Sequence, residues 1–271
     1  MDVSDEHFQL LTEMIHREFG IVIGAKKKSL LEYRLRKILQ AENLDSIEVL
    51  LERYQGERQR EFLSILADHV STNYTFFNRE PDHFEYFKNT LLPYFSTHIE
   101  DRDLRIWCGA SSSGEEPYML AMILRDFFGR NYDSWQLGLL ATDISLDALQ
   151  KAQRGIYEAK DLKAVSPAWI QQYFEALPDG LYQFKREFSK DIIFRRFNLM
   201  KPQYAFKKRF HIVFLRNVMI YFDVPTKKNV IEKVKAQLQV GGYLFVGMSE
   251  TLGDFHQGFT MVRPSIYQRV G

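Results

Sequence analysis

The stretch IWCGASSSGEEPYML, Ile106–Leu120, restricts the fold more than any other part of the chain. An apolar run, then Gly109 and Gly114, then apolar residues at helical spacing describe a strand, a tight turn and a helix. That unit brings backbone N–H groups close to a ligand, because glycine removes the side-chain obstacle. In a phosphate-binding loop the second glycine is followed by Lys and then Ser or Thr, since the ammonium neutralises the phosphates. Here Gly114 is followed by Glu115 and Glu116. Two carboxylates repel a triphosphate at a helix N-terminus, where the backbone dipole would otherwise favour it. The favoured ligand is neutral or cationic.

The rest of the chain supplies the frame for such a unit. Up to about residue 70 only helical patterns occur: Phe8, Leu11, Ile15 and Phe19 stopped by Gly20; Lys26 to Leu39 with Leu30, Leu31, Leu35, Ile38 and Leu39 as its stripe; a Ser46-capped helix through Tyr54; and Phe62, Leu63, Leu66 and Val70. Asp82–Phe95 reads as a linker helix ending at Pro93. Beyond it, Leu104–Trp107, Leu137–Asp143, Ile212–Asn217 and Tyr243–Met248 are short apolar runs, as parallel strands covered on both faces require. Helical patterns at Glu115–Phe128, Ser145–Arg154 and Thr226–Leu238 separate them, which gives a doubly wound sheet with ligands at the carboxyl ends of its strands. The tail FTMVRPSIYQRV suits a final antiparallel pair. Within about 162–197 the runs LYQFKREF and DIIFRRF alternate with period two and suggest a small antiparallel sheet inserted in the domain. The expected division is a helical unit 1–72 and an α/β unit 73–271.

Bulk properties narrow the function classes. No apolar run approaches about 18 residues, so no membrane insertion is expected, and the acidic start MDVSDEHFQL lacks a signal-peptide layout. A single cysteine, Cys108, excludes an internal disulfide framework and suits a reducing cytoplasm. A net charge of +1 does not describe a generic polyanion binder. The histidines are scattered and no metal-ligand spacing occurs.

S-adenosylmethionine meets the charge requirement of the glycine turn: a nucleoside with an ammonium, a sulfonium and no phosphate. Asp143, ending the next strand, is placed to accept both ribose hydroxyls. The competing reading is that Glu115 and Glu116 only favour a helix start and that Asp143 begins a turn.

STNYTFFNRE (Ser71–Glu80), GASSSGEEPY (Gly109–Tyr118), ATDIS (Ala141–Ser145) and FLRNVMIYFD (Phe214–Asp223) resemble the chemotaxis receptor methyltransferases, the CheR family, in the family's order and over nearly the whole chain. Ser113 stands where members often have Thr and Leu215 where many have Cys; neither changes a charge. The resemblance implies a Rossmann-like S-adenosylmethionine-dependent methyltransferase sheet with a small all-helical N-terminal domain and an inserted antiparallel β-subdomain. It implies transfer of methyl to glutamate side chains of methyl-accepting chemoreceptors in the cytoplasm, with S-adenosyl-L-homocysteine as product, by a monomer. Its implied cofactor contacts are Asn73, Thr75, Arg79, Gly109, Glu115, Asp143, Asn198, Leu199, Arg216 and Asn217. Read without it, Asn73 and Thr75 would be helix caps, Arg79 an ion pair with Glu80 or Asp82, and Asn198 a turn residue.

The acceptor carboxylate, with a pKa of about 4.3, is already ionised at neutral pH, so the reaction asks for alignment and water exclusion rather than a strong base. Arg79 and Tyr221 are the candidates to orient it; the plainer reading of Tyr221 is an aromatic plug in MIYF. Six basic residues between Lys26 and Lys37 face one acid, Glu32, and Lys27, Arg34 and Lys37 share a helical face suited to glutamate-rich receptor helices, or else simply solvated. In some relatives the β-subdomain captures a receptor-tail pentapeptide by strand addition. The short EALPDG connection, Glu175–Gly180, suggests an enzyme independent of that tether. Two other readings stay open: a nucleic-acid methyltransferase, and a module that binds S-adenosylmethionine without transferring methyl. Cys108 on an apolar strand reads as a packed thiol, and RNVMIY carries no proline where amino-methylating DNA enzymes have Asn/Asp-Pro-Pro-aromatic. Both disfavour a nucleobase substrate, and no nucleic-acid partner is expected.

Overall fold

The computed structural model describes residues 3–71 and 73–271; Met1, Asp2 and Thr72, which belong to the expected unit 1–72, lie outside the described residues. Four helices open the chain: α1 (Asp5–Phe19), α2 (Lys28–Glu42), α3 (Ile47–Arg53) and α4 (Gln59–Val70). Ser4 and Ser46 accept from the N–H groups of His7 and Val49 and so start α1 and α3. Gly20, in the left-handed region, ends α1. Leu11, Ile15, Leu35, Ile38, Phe62 and Leu66 meet in one core. Leu30 does not join them and is 45% exposed. It lies one residue, about 100°, off the stripe formed by Leu31, Leu35, Ile38 and Leu39.

The linker is longer than the sequence suggests. Helix α5 (Pro81–Tyr86) runs through a π-helical turn, Phe87–Leu91, into α6 (Leu92–His98). Pro93 sits in the first turn of α6 rather than at the helix end. There its missing N–H is tolerated, because the wide turn before it already interrupts the regular ladder.

The α/β unit follows as β1 (Asp103–Cys108), α7 (Glu115–Phe128), β2 (Gln136–Asp143), α8 (Leu146–Arg154), β3 (Ile156–Glu158), α9 (Pro167–Tyr173), β4 (Phe174–Ala176), β5 (Leu181–Phe184), α10 (Arg186–Ser189), β6 (Ile192–Arg196), β7 (Phe210–Leu215), α11 (Val224–Gln237), β8 (Leu238–Val246), β9 (Phe259–Arg263) and β10 (Ile266–Arg269). The main sheet has the order β6-β2-β1-β7-β8-β10-β9. Its first five strands pair in parallel and its last two antiparallel. Leu104, Ile106 and Cys108 of β1 face one core and Trp107 faces the other, so both faces are covered. Strands added after β1 go first to one side of it (β2, β6) and then to the other (β7, β8), and the crevice above this β1/β7 switch point is where such sheets take ligands.

The small antiparallel sheet differs from expectation. It has the order β3-β5-β4, and the run DIIFRRF supplies none of it. That run is β6, parallel to β2, with Ile192 and Phe194 buried among the α7-side core residues. Alternation within β6 (Ile192 and Phe194 in, Ile193 out) is that of an edge strand with one covered face. Sequence alternation alone does not say to which sheet such a strand belongs. No helix among the described residues is long and apolar enough to cross a membrane.

Candidate active site

The glycine turn is built for something other than phosphate. Gly114 has φ +102°, and a Cβ there would come within 3.0 Å of the Ala152 Cβ and the Tyr157 hydroxyl. A side chain is thus excluded both by conformation and by contact. Two of the turn's amides are already taken: Ser111 N–H donates to the Thr142 carbonyl at 2.9 Å, and Ser112 N–H to Asp143 Oδ2 at 2.8 Å. The protein's own carboxylate sits on the turn. Tyr157, from the small sheet, donates to the Ser113 carbonyl at 2.7 Å and holds the turn from behind.

A cleft opens above the switch point. Of the residues singled out in the sequence, Asn73, Thr75, Arg79, Gly109, Asp143, Asn198, Leu199, Arg216, Asn217 and Tyr221 line it. Glu115 does not: it is buried beside the Ser113 hydroxyl, 3.0 and 2.9 Å from its two carboxylate oxygens. The cleft-facing acid of the pair is Glu116. On a helix successive residues point about 100° apart, so only one of two adjacent glutamates can face a given cleft.

Burial raises the pKa of Asp143 above the usual carboxylate range, against the N–H groups of Ser145 and Ser112 that favour its charged form. Burial likewise raises Glu116, although the Arg216 guanidinium, bonded to it at 2.7 Å, pulls the other way. A cation in the cleft would relieve both. Arg216 is itself buried and held by acceptors: its Nε and Nη2 lie 3.2 and 3.1 Å from Glu80 Oε2, and Nη2 also donates to the Arg79 carbonyl. The alternative reading of Arg79, an ion pair with Glu80 or Asp82, finds no such contact within ion-pair distance among the described residues. Arg79 Nη1 donates to the Tyr74 carbonyl at 2.9 Å, and its guanidinium lies 5.8 Å from the Phe76 ring centroid. Tyr74 and Phe76 also line the cleft, and both are largely exposed.

The helical unit forms one wall. Phe19, Ile21, Val70 and Ser71 line the cleft, Ile21 bridges to Phe222, and Asn198 Nδ2 donates to the Glu18 carbonyl at 2.7 Å. The three basic residues expected on one docking face divide. Lys27 and Lys37 are exposed, Lys37 lying 4.7 Å from the Tyr33 ring centroid. Arg34 is half-buried and donates to the carbonyls of Val70 and Ser71, at the cleft wall. The implied cofactor contacts included Glu115 rather than Glu116, and neither Glu80 nor Glu250 was among them. Glu250 accepts from the N–H groups of Gly247, Asn217 and Ile220 at 2.6, 2.8 and 3.1 Å, and so shapes the loop after β7. Only Glu116 carried a signal, as the neighbour of Glu115; Arg216, Asn217 and Met248, which Glu80 holds, and Asn217 and Ile220, which Glu250 holds, lie 30 or more residues away.

Comparison with known proteins agrees with this geometry. Residues 73–267 match the family model described as CheR methyltransferase, SAM binding domain, and residues 6–71 match CheR methyltransferase, all-alpha domain. The chain is similar to the chemotaxis protein methyltransferase of Borreliella burgdorferi, 34% identical over 99% of this chain and 96% of that one. It is also similar to chemotaxis protein methyltransferase 1 of Pseudomonas aeruginosa, at 33% identity over 98% and 97%, and to the chemotaxis protein methyltransferase of Escherichia coli, at 31% over 98% and 91%. The cleft's carboxylates and spent turn amides fit S-adenosylmethionine, and the chain belongs to the CheR methyltransferase family.

Proposed function

We propose that this protein transfers a methyl group from S-adenosylmethionine to glutamate side chains of chemoreceptors, forming glutamyl methyl esters. The observation that carries the reading is the charge layout of the cleft: Asp143 and Glu116 line it, while Arg79 lines it without a carboxylate partner within ion-pair distance among the described residues. When bound, the cofactor supplies an electrophilic methyl on its sulfonium. Asp143 keeps lone pairs for the ribose hydroxyls beyond the two N–H groups it already accepts. Asn73, Thr75, Asn198 and Leu199 complete the cofactor's surroundings.

Arg79 and Tyr221 are the residues that receive the acceptor. A glutamate with pKa about 4.3 arrives ionised, so the protein's task is to hold its oxygen in line and keep water out. Arg79 offers a charge-assisted bond and Tyr221 a phenolic one. The exposed Lys27 and Lys37 give the helical unit a face for glutamate-bearing receptor helices, and Arg34 acts on the cleft wall instead. The connection between β4 and β5 is a single tight turn, Pro178–Gly180, which favours receptor capture without a tail peptide.

The reading is tested by incubating protein, S-adenosylmethionine and a chemoreceptor cytoplasmic fragment and sequencing the fragment by mass spectrometry. Methyl added to glutamates supports it. Methyl added only to lysines, termini or copurifying RNA refutes it.

A further inference from the structure

Glu80 joins the loop after β7 to the loop after β8 beside the cleft. Its Oε2 takes Nε and Nη2 of Arg216 at 3.2 and 3.1 Å, and its Oε1 takes Asn217 Nδ2 and the Met248 N–H, both at 3.0 Å. The side chain is 15% exposed. Its backbone has φ +57°, in the left-handed region, at the start of α5. A non-glycine residue stays there only when its surroundings over-determine it. Ser112 and Asn217, which line the same cleft, also have positive φ.

We propose that Glu80 is a positioning residue that sets the orientation of the Asn217 amide and so makes the cleft selective for a cationic ligand. An amide has a donating and an accepting end, and the partner of one fixes the role of the other. With Nδ2 held on a carboxylate, which only accepts, the amide is fixed in one orientation, and Oδ1 is the one acceptor the side chain of this cleft-lining residue keeps for a ligand. Among the described residues no protein donor takes that oxygen. An acceptor at this place favours an ammonium or sulfonium, in keeping with Asp143 and Glu116 nearby. Glutamine at position 80 would remove the constraint, because its own amide can face Asn217 by either end. It would also leave Arg216 with a donor opposite its own donors.

Burial works to raise the pKa of Glu80, yet the Asn217 and Met248 donors and the Arg216 charge outweigh it and hold the carboxyl below its ordinary range. The group is ionised at neutral pH. The inference rests on S-adenosylmethionine occupying this cleft, and it is independent of which acceptor is methylated.

The test is calorimetric titration of wild type and Glu80→Gln, without receptor, with S-adenosylmethionine and with 5′-methylthioadenosine. The second ligand keeps the nucleoside but has neither ammonium nor sulfonium. Glu80→Gln is expected to weaken S-adenosylmethionine about tenfold or more and the neutral nucleoside by less than about twofold. Equal losses for both ligands, or none for either, would overturn the assignment. A merely structural role would weaken both alike. If Glu80→Gln is not recovered folded, Asn217→Ala serves: the same selective loss is expected, and an unchanged ratio of the two affinities means there is nothing for Glu80 to position. Failure of both variants to fold would assign the carboxylate to the fold and also end the proposal.

Discussion

Val22 donates its backbone N–H to the carbonyl of Tyr221 at 2.9 Å, beside the bridge between Ile21 and Phe222. The segment after α1 is thereby tied to the loop that carries a proposed acceptor-orienting side chain. Val22→Pro removes the donor while leaving Tyr221 unchanged. A neutral hydrogen bond contributes about 1 kcal/mol, so methyl transfer should slow about fivefold with the thermal midpoint little altered. Single-turnover rates at saturating cofactor check this; an unchanged rate would mean that the helical unit does not position the loop.

Glu115 and Glu116 are adjacent in sequence but not equivalent in space. Glu116→Gln leaves Arg216 short of a charged partner at the cleft and should weaken S-adenosylhomocysteine by about tenfold, the scale of one charge-assisted bond. Glu115→Gln, off the cleft, should stay within about twofold. Isothermal titration of the two variants decides which glutamate serves the cofactor, and the reverse ranking would contradict the geometry.

Tyr221→Phe removes only a hydroxyl. If that hydroxyl orients the acceptor, kcat should fall about tenfold while the cofactor's dissociation constant stays within about twofold. Steady-state kinetics against receptor fragment, paired with cofactor titration, separate these. A loss confined to cofactor affinity would move Tyr221 from the acceptor to the cofactor.

Two buried histidines give stability a definite pH dependence. Burial and the nearby charge of Arg216 lower the His83 pKa from 6.5 to about 4, and burial and Arg105 do the same for His211. His83 Nε2 lies 2.7 Å from the Ser265 hydroxyl, and His211 Nδ1 accepts the Arg105 N–H at 3.0 Å. The folded protein holds both rings neutral, whereas the unfolded chain protonates them near pH 6.5. Stability is therefore complete above that value and falls as pH drops toward about 4, by on the order of 1–2 kcal/mol per site near pH 5. Urea unfolding from neutral pH downward measures the slope, and His211→Asn should flatten it. A pH-independent midpoint over that window would contradict the assignment.

Reversing charge at Lys27 and Lys37 should raise the KM for receptor fragment several-fold at low salt, with the difference shrinking as ionic strength rises past a Debye length of about 10 Å. Cofactor affinity should not move. An effect on cofactor binding, or none on the receptor KM, would remove these residues from the docking face.

Much of this architecture was legible because its signals are local. Gly20, Ser46 and Gly114 punctuate helices through their own conformations or caps, and the strand–turn–helix of Ile106–Leu120 fixes the switch point of the sheet. The cleft-lining carboxylate Asp143 was legible for the same reason, as the last residue of an apolar strand. What stayed hidden depends on partners distant in sequence. β6 alternates like a hairpin strand and reveals its place only by pairing with β2. Arg34 belongs to a basic run, yet its guanidinium is spent on carbonyls at the end of α4. Glu80 looked like an ion-pair partner for Arg79, whereas it holds Arg216 and Asn217, more than a hundred residues on.

The central claim is that Arg79 and the carboxylate-lined cleft methylate receptor glutamates. It is tested most directly by transferring labelled methyl to a chemoreceptor cytoplasmic fragment and collecting volatile methanol after mild alkali, with wild type and Arg79→Ala side by side. Glutamyl esters release methanol under these conditions; methylated amines and bases do not. Alkali-released label with wild type, reduced about a hundredfold in Arg79→Ala by loss of a charged contact, is the predicted result. Label that resists alkali, or label undiminished in Arg79→Ala, would contradict it.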